Sequence, residues 1–559
     1  MKEKNGRFAI IEQFLADGLD YMFGNPGTVE QGFLDAVSDY PGMKYILTLQ
    51  ESVAVLMADG YARATKKPAL VQIHSTPGLG NAVGAIYQAM RGHAPLVIIG
   101  GDAGLKYMPM DAQMAGDLVG FARPVTKWAT MVLDSSSLLR TIRRAIKIAA
   151  TPPMGPVYVC LPADVLDQPN REEVFTTFIP STRVIPEAGL ISEAAEILAA
   201  STRPMIYMGD GVAYSGAQNE LAEMGELLGA EIWGVDSGEL NIPYDHPLYQ
   251  GQTGHMFGVS SRSITTKGDV NLIVGTYMLP EVFPDLGSIF APGAKNIHID
   301  LNAYEIAKNH AVDLGFVSDP QLTLAALIKA LSEKMTPSQK QAAQDRRERI
   351  GLLKQQKVVQ QKQTDQGKLN MEPLQASQFM EALAKEIPGD SVIFDEALTS
   401  SPALTRYIPP NIPGHFFQTR GGSLGVGIPG ALAAKLANPQ KTVIGFTGDG
   451  GSMYTIQALW TAAHHHIGAK FVICNNQSYM LLELNIKQYW KEQDIPEHNF
   501  PMPFILNDPV IDFVSMAQSM GVQAVRVEKA ADIQPAIRKM LSDDKPFLID
   551  LVISDKAGG

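Results

Sequence analysis

The chain has 559 residues, 45% of them hydrophobic, which is enough to fill several domain cores and suggests three or four domains. Its net charge of −12 argues against nucleic acid as a partner, because nucleic-acid-binding domains carry basic surfaces. No apolar run reaches membrane-spanning length, the N-terminus lacks a signal-peptide core, and two cysteines cannot build a disulfide framework. We therefore expect a cytoplasmic protein with no membrane partner.

The first predicted domain covers residues 1–180 and alternates strand-like with helix-like stretches. Strands are expected at 45–49, 69–74, 96–99 and 157–161. Glu51 stands between the end of the first of these strands and a largely apolar helix that runs to Arg63. A carboxylate is favoured at a helix N-terminus by the helix dipole, so a purely structural role would also explain Glu51.

The second predicted domain covers residues 185–335 and also alternates strands with helices, as doubly wound sheets do. Its strands are expected at 205–208, 231–235, 270–274 and 295–300. Within it, Gly209-Asp210-Gly211 follows an apolar strand, and we interpret it as a structural turn. Residues 336–370 are rich in Lys, Gln, Glu and Arg, and they are predicted to form a charged helical linker without chemistry.

The third predicted domain covers residues 371–559 and contains two polar loops that each follow a buried strand. The strand at 442–446 leads into the turn 447–452, and the strand at 470–474 ends on two asparagines. A strand–helix–strand order places both loops at the same edge of a parallel sheet. Glycine N–H groups there can bind phosphate, while Asp449 and Asn476 offer oxygens to a small cation. The sequence therefore predicts a site for a metal-bound diphosphate.

The two loops, Gly448-Asp449-Gly450 and Asn475-Asn476, resemble the diphosphate motif of thiamine-diphosphate (ThDP) enzymes. Further stretches narrow the resemblance to benzoylformate decarboxylase and its relatives: 23–27, 49–51, 58–62, 74–75, 80–82 and 458–463. The resemblance implies an α/β fold of three doubly wound domains with mainly parallel sheets, which are the pyrimidine-binding, middle and diphosphate-binding domains. It also implies ThDP and Mg²⁺ as cofactors, a homodimer as the smallest active unit and a homotetramer as the assembly.

The resemblance also implies roles for individual residues. Glu51 would reach the cofactor's aminopyrimidine from across a dimer interface and activate the cofactor. Thr28 falls where relatives bind the substrate carboxylate, and His74 falls where they have a histidine used in proton transfer. Gly422 would offer its carbonyl to the cofactor's 4′-amino group, and Leu424 would support the cofactor's bent shape.

The metal is expected to bind the side chains of Asp449 and Asn476 and the backbone carbonyl of Ser478. The further cofactor-binding residues expected are Ser401, Gly448, Gly450, Gly451, Ser452, Tyr479, Met480 and Leu481. Leu481 and Leu482 would form an apolar wall that suits an uncharged substrate side chain. Arg420 has two interpretations: a pair with the substrate carboxylate or a structural ion pair.

The chain departs from the family pattern at one catalytic position. The second catalytic histidine of benzoylformate decarboxylase has no counterpart in the stretch 276–283. The run His464-His465-His466 is interpreted as helix surface rather than a metal site, because consecutive helical residues point in different directions.

The function that the resemblance implies is a ThDP- and Mg²⁺-dependent lyase that decarboxylates a 2-oxo acid to an aldehyde. The reaction would pass through a cofactor enamine, with carboligation as a side activity. An acetolactate-synthase-like carboligase and a 2-hydroxyacyl-CoA lyase are alternatives, and a non-catalytic ThDP-binding protein is an alternative of another class. The substrate, and whether the middle domain binds FAD or another nucleotide, stay open.

Overall fold

The computed structural model describes residues 4–369 and 371–554. These residues form three α/β domains, each built on a six-stranded sheet whose neighbouring strands are all parallel. This architecture confirms the predicted fold class. Residues 1–3 and 555–559 of the predicted end domains, and residue 370 of the predicted linker, lie outside the described residues. No described helix is both long and apolar enough to cross a membrane.

The first domain carries its sheet in the order β3-β2-β4-β5-β7-β6, and a short antiparallel pair, β1 with β8, lies outside the sheet. Its strands are β1 Lys4–Asn5, β2 Tyr21–Gly24, β3 Lys44–Leu47, β4 Ala69–Ile73, β5 Leu96–Asp102, β6 Trp128–Met131, β7 Val157–Pro162 and β8 Pro169–Asn170. Its helices are α1 Gly6–Ala16, α2 Gln31–Val37, α3 Glu51–Thr65, α4 Thr76–Arg91, α5 Leu118–Ala122, α6 Leu138–Ala150 and α7 Ala163–Leu166.

The middle domain has the strand order β11-β10-β9-β12-β13-β14, and a long polar helix follows it. Its strands are β9 Pro204–Met208, β10 Glu231–Gly234, β11 Tyr249–Gln252, β12 Val270–Val274, β13 Lys295–Asp300 and β14 Leu314–Val317. Its helices are α8 Ala188–Ala199, α9 Gly211–Ser215, α10 Gln218–Leu228, α11 Gly258–Thr265 and α12 Pro320–Lys334. The charged segment is the 30-residue helix α13 Pro337–Gln366, which begins at a capping box on Thr336.

The third domain has the strand order β16-β15-β17-β18-β20-β19. Its strands are β15 Val392–Glu396, β16 Phe416–Gln418, β17 Val443–Gly448, β18 Lys470–Asn475, β19 Gln523–Val527 and β20 Phe547–Val552. Its helices are α14 Ala376–Ala384, α15 Ser401–Tyr407, α16 Gly427–Ala437, α17 Asp449–Ser452, α18 Ala458–His464, α19 Met480–Glu492, α20 Phe513–Ser519 and α21 Ala530–Leu541.

Helix α3 packs against α16, so the first and third domains share one hydrophobic core. The two helices approach closely at glycines: a Cβ added to Gly60 would lie 3.0 Å from the Cα of Gly430. Because Glu51 is the first residue of α3, this buried helix fixes the position of the Glu51 backbone. The shared core thus connects the predicted pyrimidine-binding and diphosphate-binding domains within one chain.

Candidate active site

The two loops of the predicted diphosphate motif lie at the same edge of the third sheet. Strands β17 and β18 are parallel neighbours, and Gly448 pairs in register with Cys474. Asp449 and Asn476 therefore follow adjacent strand ends, as the strand–helix–strand pattern predicted. The chain places an aspartate and an asparagine side by side where parallel strands end.

Asp449 carries a buried carboxylate oxygen that the protein leaves without a partner. Its Oδ1 accepts a hydrogen bond from the Gly450 N–H at 2.7 Å. Its Oδ2 is buried and has no hydrogen-bond partner among residues 4–369 and 371–554. Burial raises the pKa of the Asp449 carboxyl to about 6. An orphaned, desolvated carboxylate oxygen is the feature that a bound cation would satisfy, so the donor set fits Mg²⁺.

The loop after β18 presents further oxygens beside Asp449. The Asn476 Oδ1 accepts from the Ser478 N–H at 3.2 Å. An isolated antiparallel bridge joins Ser478 to Ile505, and its hydrogen bonds use the backbone groups of the neighbouring residues. This bridge therefore leaves the Ser478 carbonyl unused, as a metal ligand requires. The Ser478 hydroxyl instead donates to Glu483, which holds the loop against the start of α19.

One glycine of the turn, Gly450, allows a close approach that a side chain would block. A Cβ on Gly450 would overlap Cε1 of the Tyr479 ring and lie 2.9 Å from two further ring atoms. The turn continues as α17, where the Ser452 hydroxyl donates to the Asp449 carbonyl at 2.8 Å. Glycine at position 450 is thus required for the packing of the turn against Tyr479, in the loop after β18.

The loop with Gly422 and Leu424 is held by a buried glutamate that the sequence analysis did not identify. Gly422 has φ 73°, a left-handed conformation that favours glycine. Glu396, at the end of β15, accepts from the Gly425 N–H and from the Thr447 hydroxyl, the latter at 3.1 Å. Burial raises the pKa of Glu396 to about 7. The signal that could have revealed it is a charged residue at the end of an apolar strand.

Met480 and the two neighbours of Ser401 in the chain, Ser400 and Pro402, line a cavity of about 350 Å³ beside Asn476. The Ser401 hydroxyl donates to the buried Asp395 carboxylate at 2.9 Å, so the protein itself engages the side chain. Met480 is buried and lines the cavity together with Asn476. The hydroxyl hydrogen of Ser401 is therefore used by the protein itself.

Glu51 is fixed by its helix and by a neighbouring amide. The Gln50 side chain caps α3 by accepting from the Ser52 N–H at 2.5 Å. The Glu51 side chain is 8% exposed, and its Oε2 accepts from Asn81 Nδ2 at 3.1 Å. A Cβ on Gly78 would lie 2.9 Å from Oε1, so the glycine admits the carboxylate. These contacts orient the glutamate on the carboxyl side of the first sheet.

His74 follows β4 and pairs with a second glutamate that the sequence analysis missed. Its Nδ1 lies 3.0 Å from Oε2 of the buried Glu30. Thr28 is the first residue of the 3₁₀ turn Thr28–Glu30, and the Thr28 side chain is exposed. The hydrogen bonds made by Glu51 and His74 go to first-domain partners. The candidate residues therefore fall into two groups, one on the first domain and one on the third.

Arg420 forms a structural ion pair in the structure. Its buried guanidinium contacts the Asp210 carboxylate and lies 3.4 Å from Asp236. The same Asp210 accepts from the Gly238 and Glu239 N–H groups, which explains why this second Gly-Asp-Gly is a structural turn. The geometry therefore favours the ion-pair interpretation of Arg420 over a contact with the substrate carboxylate.

The remaining predicted residues lie at the surface of the site. Leu481 is half-buried and Leu482 is 41% exposed at the start of α19. In the histidine run, His464 stacks on Trp460, and His465 Nε2 accepts from the Leu47 N–H at 2.9 Å. The run was predicted to lie on a helix surface: His464 and His466 are exposed, but His465 is half-buried, and α18 ends at His464.

Three family models match the chain in sequence. They are the N-terminal TPP binding domain of thiamine pyrophosphate enzymes at residues 4–120, the central domain at 191–327 and the C-terminal TPP binding domain at 399–551. The chain belongs to the thiamine pyrophosphate enzyme family. Its C-terminal match contains both loops of the diphosphate motif.

Similar proteins cover nearly the whole chain. A probable acetolactate synthase large subunit of Methanocaldococcus jannaschii is 30% identical, over 98% of this chain and 92% of its own length. Benzoylformate decarboxylase of Pseudomonas aeruginosa is 29% identical, over 96% of both chains. A ThDP-dependent 4-hydroxybenzoylformate decarboxylase of Rhodococcus jostii superposes with a TM-score of 0.84 at 25% identity and covers 99% of each chain. The protein is thus a ThDP-dependent enzyme similar to decarboxylases and acetolactate synthases.

Proposed function

We propose that the protein is a ThDP- and Mg²⁺-dependent carboxy-lyase that converts a 2-oxo acid to an aldehyde and carbon dioxide. The observation that carries this proposal is the His74–Glu30 pair beside Glu51 in the first domain. Release of an aldehyde needs a proton on the carbon that loses carbon dioxide, and a held histidine can deliver one. The similarity to two benzoylformate-type decarboxylases supports the same substrate class.

The third domain would hold the cofactor and its metal. Asp449 through its orphaned Oδ2, Asn476 through its side-chain oxygen and Ser478 through its carbonyl would bind Mg²⁺. The N–H groups of the turn from Gly448 to Ser452 would face the diphosphate, and Tyr479 would pack against them. When bound, ThDP acts as an electron sink that accepts the pair left by the departing carboxylate.

The first domain would supply the proton-handling residues. Glu51 would share a proton with the cofactor's aminopyrimidine, and Thr28 would hold the substrate carboxylate. The side-chain hydrogen bonds of Glu51 and His74 go to partners in the first domain. We propose that these two residues face the loops with Asp449 and Asn476 of a second copy of the chain. A homodimer is therefore the proposed smallest active unit.

Carboligation is the second candidate function. It is favoured by the whole-length similarity to acetolactate synthases and by the exposed Leu482 at the rim of the site, which offers an apolar surface to a second substrate. In this case the carbon that loses carbon dioxide would form a bond to an aldehyde or to a second oxo acid instead of taking a proton.

One experiment separates these functions. The protein, reconstituted with ThDP and Mg²⁺, is incubated with a panel of aromatic and aliphatic 2-oxo acids, with and without added aldehyde. Carbon dioxide, aldehyde and carbon–carbon products are all measured. We expect carbon dioxide and aldehyde in near-equal amounts, with minor ligation product. Ligation product in excess of aldehyde would favour the synthase, and no carbon dioxide from any oxo acid would refute the carboxy-lyase.

A further inference from the structure

Glu30 is buried, and each of its two carboxylate oxygens has its own hydrogen-bond partner. It is 5% exposed, and its Oε1 accepts from the Gly101 N–H at 2.9 Å. Its Oε2 lies 3.0 Å from Nδ1 of His74, whose side chain is 15% exposed. The carboxylate therefore connects strand β5 to the histidine that ends strand β4. The proposed reaction so far uses Glu30 only to hold His74.

Gly27, just before the turn Thr28–Glu30, packs closely enough against the imidazole of His74 to fix the position of the ring. A Cβ on Gly27 would overlap Nδ1 and Cγ of His74, so only glycine fits before the 3₁₀ turn. Glu30 and Thr28 belong to this same turn. The backbone that would place Thr28 at the substrate thus also places the carboxylate against the histidine.

The chemistry of the three partners determines where the histidine carries its proton. A backbone N–H can only donate, and an ionised carboxylate accepts at both oxygens. Burial raises the pKa of the Glu30 carboxyl, while His74 and the backbone amides of Gly101 and Ser75 lower it. With Glu30 ionised, Nδ1 must carry hydrogen, and Nε2 is the nitrogen left for the reacting atoms.

We propose that Glu30 is a positioning residue that keeps hydrogen on Nδ1 of His74, so that Nε2 delivers the proton that replaces carbon dioxide. The inference rests on the proposed carboxy-lyase function. Nε2 first takes up a proton from solvent, which the 15% exposure of the His74 side chain allows and which gives the imidazolium. As the new C–H bond forms, the Nε2–H bond breaks and its electron pair stays on nitrogen, so each aldehyde consumes one solvent proton. The imidazolium becomes a neutral imidazole whose Nδ1–H still donates to Glu30, so charge and atoms balance.

Glu30→Gln tests this arrangement with almost no change in shape. The amide oxygen would remain on the Gly101 N–H, so its NH₂ group would face Nδ1. Only the imidazole can change from donor to acceptor, so the neutral ring would move its proton to Nε2, and the imidazolium would lose its anion. We expect first-turnover aldehyde release to slow by about 10²-fold, as for loss of general acid catalysis. Carbon dioxide release should stay within about threefold.

Asp102→Asn is the matched control. Asp102 is also buried, is adjacent in sequence to Gly101, and bonds the Gly104 N–H at 3.0 Å rather than the histidine. The substitution removes the same charge at the same end of strand β5, to which Glu30 is bonded through the Gly101 N–H. It should leave the ratio of aldehyde to carbon dioxide in the first turnover unchanged.

A ¹⁵N spectrum of histidine-labelled holoenzyme gives a readout independent of turnover, with His74 assigned by comparison with His74→Ala. We expect Nδ1–H in the parent protein and Nε2–H in Glu30→Gln. An Nε2–H tautomer in the parent, or equal losses of carbon dioxide and aldehyde in Glu30→Gln, would overturn the proposal. If Glu30→Gln does not fold, the parent spectrum alone decides. If no oxo acid is decarboxylated, the proposed function fails, while the spectrum still tests the hydrogen-bonded pair.

Discussion

Replacing Asp449 by asparagine should change stability and cofactor binding in opposite directions. The amide keeps the volume of the side chain and its oxygen can still accept from the Gly450 N–H, the bond that spans 2.7 Å in the parent. The second oxygen, which has no partner among the described residues, becomes an NH₂ group. That group cannot bind a cation, but it also carries no charge into the buried turn.

The structure sets the size of both effects. A buried polar group without a partner costs about 1–3 kcal/mol and a charged one more. Asparagine replaces an unpartnered charge by an unpartnered neutral NH₂ group, so the metal-free variant should gain the difference, on the order of 1–3 kcal/mol. Loss of a residue that only hydrogen-bonds to a metal ligand weakens metal binding by about 10–100-fold, so loss of the ligand itself should weaken it by at least about 100-fold. That factor corresponds to about 2.7 kcal/mol of binding free energy.

Asp210→Asn, in the second Gly-Asp-Gly turn, is the matched control. Its carboxylate pairs with the buried Arg420, so the same substitution leaves a buried cation short of an anion, which costs about 3–5 kcal/mol. Because Asp236 lies 3.4 Å from Arg420 and still pairs with it, the loss of stability should be near the lower end of that range. Mg²⁺ and ThDP affinity should not change.

The assay combines thermal melts in chelator with calorimetric titration of ThDP in the presence of Mg²⁺. One kcal/mol corresponds to about 2–4 °C for a domain of this size, so the two variants should shift the midpoint by several degrees in opposite directions. Parent-like ThDP affinity in Asp449→Asn, or a lower melting midpoint than the parent in chelator, would refute the reasoning.

Two further substitutions test the proposed site, and a third tests the buried Asp300 of the middle domain. Glu51→Gln should bind ThDP normally but slow exchange of the cofactor's C2 proton by orders of magnitude, measured by NMR after acid quench; exchange at the parent rate would exclude the proposed role. Mixing Glu51→Gln with Asp449→Asn subunits should restore partial activity if sites form between chains, and no recovery would argue against the dimer. Gly450→Ala should displace Tyr479 at an overpacking cost of about 1–3 kcal/mol and weaken ThDP affinity about tenfold or more, and unchanged calorimetry would contradict this. Burial raises the pKa of Asp300 to about 7, so the folded state holds this proton more tightly than the unfolded chain, and stability should fall as pH rises from about 4 to about 7. Asp300→Asn should flatten that slope, and parallel slopes in denaturant titrations would contradict the assignment.

In the middle sheet the four interior strands were predictable because they are largely buried, whereas the interior strands Tyr21–Gly24, Val392–Glu396 and Phe547–Val552 of the other two sheets were not predicted. Strand β12, Val270–Val274, is entirely buried and matches its predicted range of 270–274. The two edge strands of the same sheet, Tyr249–Gln252 and Leu314–Val317, were missed. Each contains at least one exposed residue and a glycine, so neither forms a continuous apolar run. Edge strands bury too little surface to leave a clear signal in the sequence.

The site was predictable where the order of strands and helices along the chain determines which residues come together. Asp449 and Asn476 meet because consecutive parallel strands end at the same edge, which the strand–helix–strand pattern implies. Glu30 was not predictable in this way, since its partner His74 lies 44 residues away, and Glu396 bonds Thr447, 51 residues away. Such contacts depend on how the sheets and loops fold together, which a single sequence does not encode locally.

The two Gly-Asp-Gly turns show what distinguishes a binding site from a structural turn of the same sequence. Both follow a parallel strand and both bury their aspartate. The protein supplies the counter-charge to Asp210 itself, through Arg420 and the Gly238 and Glu239 N–H groups. At Asp449 it satisfies one oxygen and leaves the other buried and unpartnered among the described residues. A desolvated charge that the fold does not neutralise is costly unless a ligand neutralises it, so the incomplete turn is the one that we expect to bind the cation.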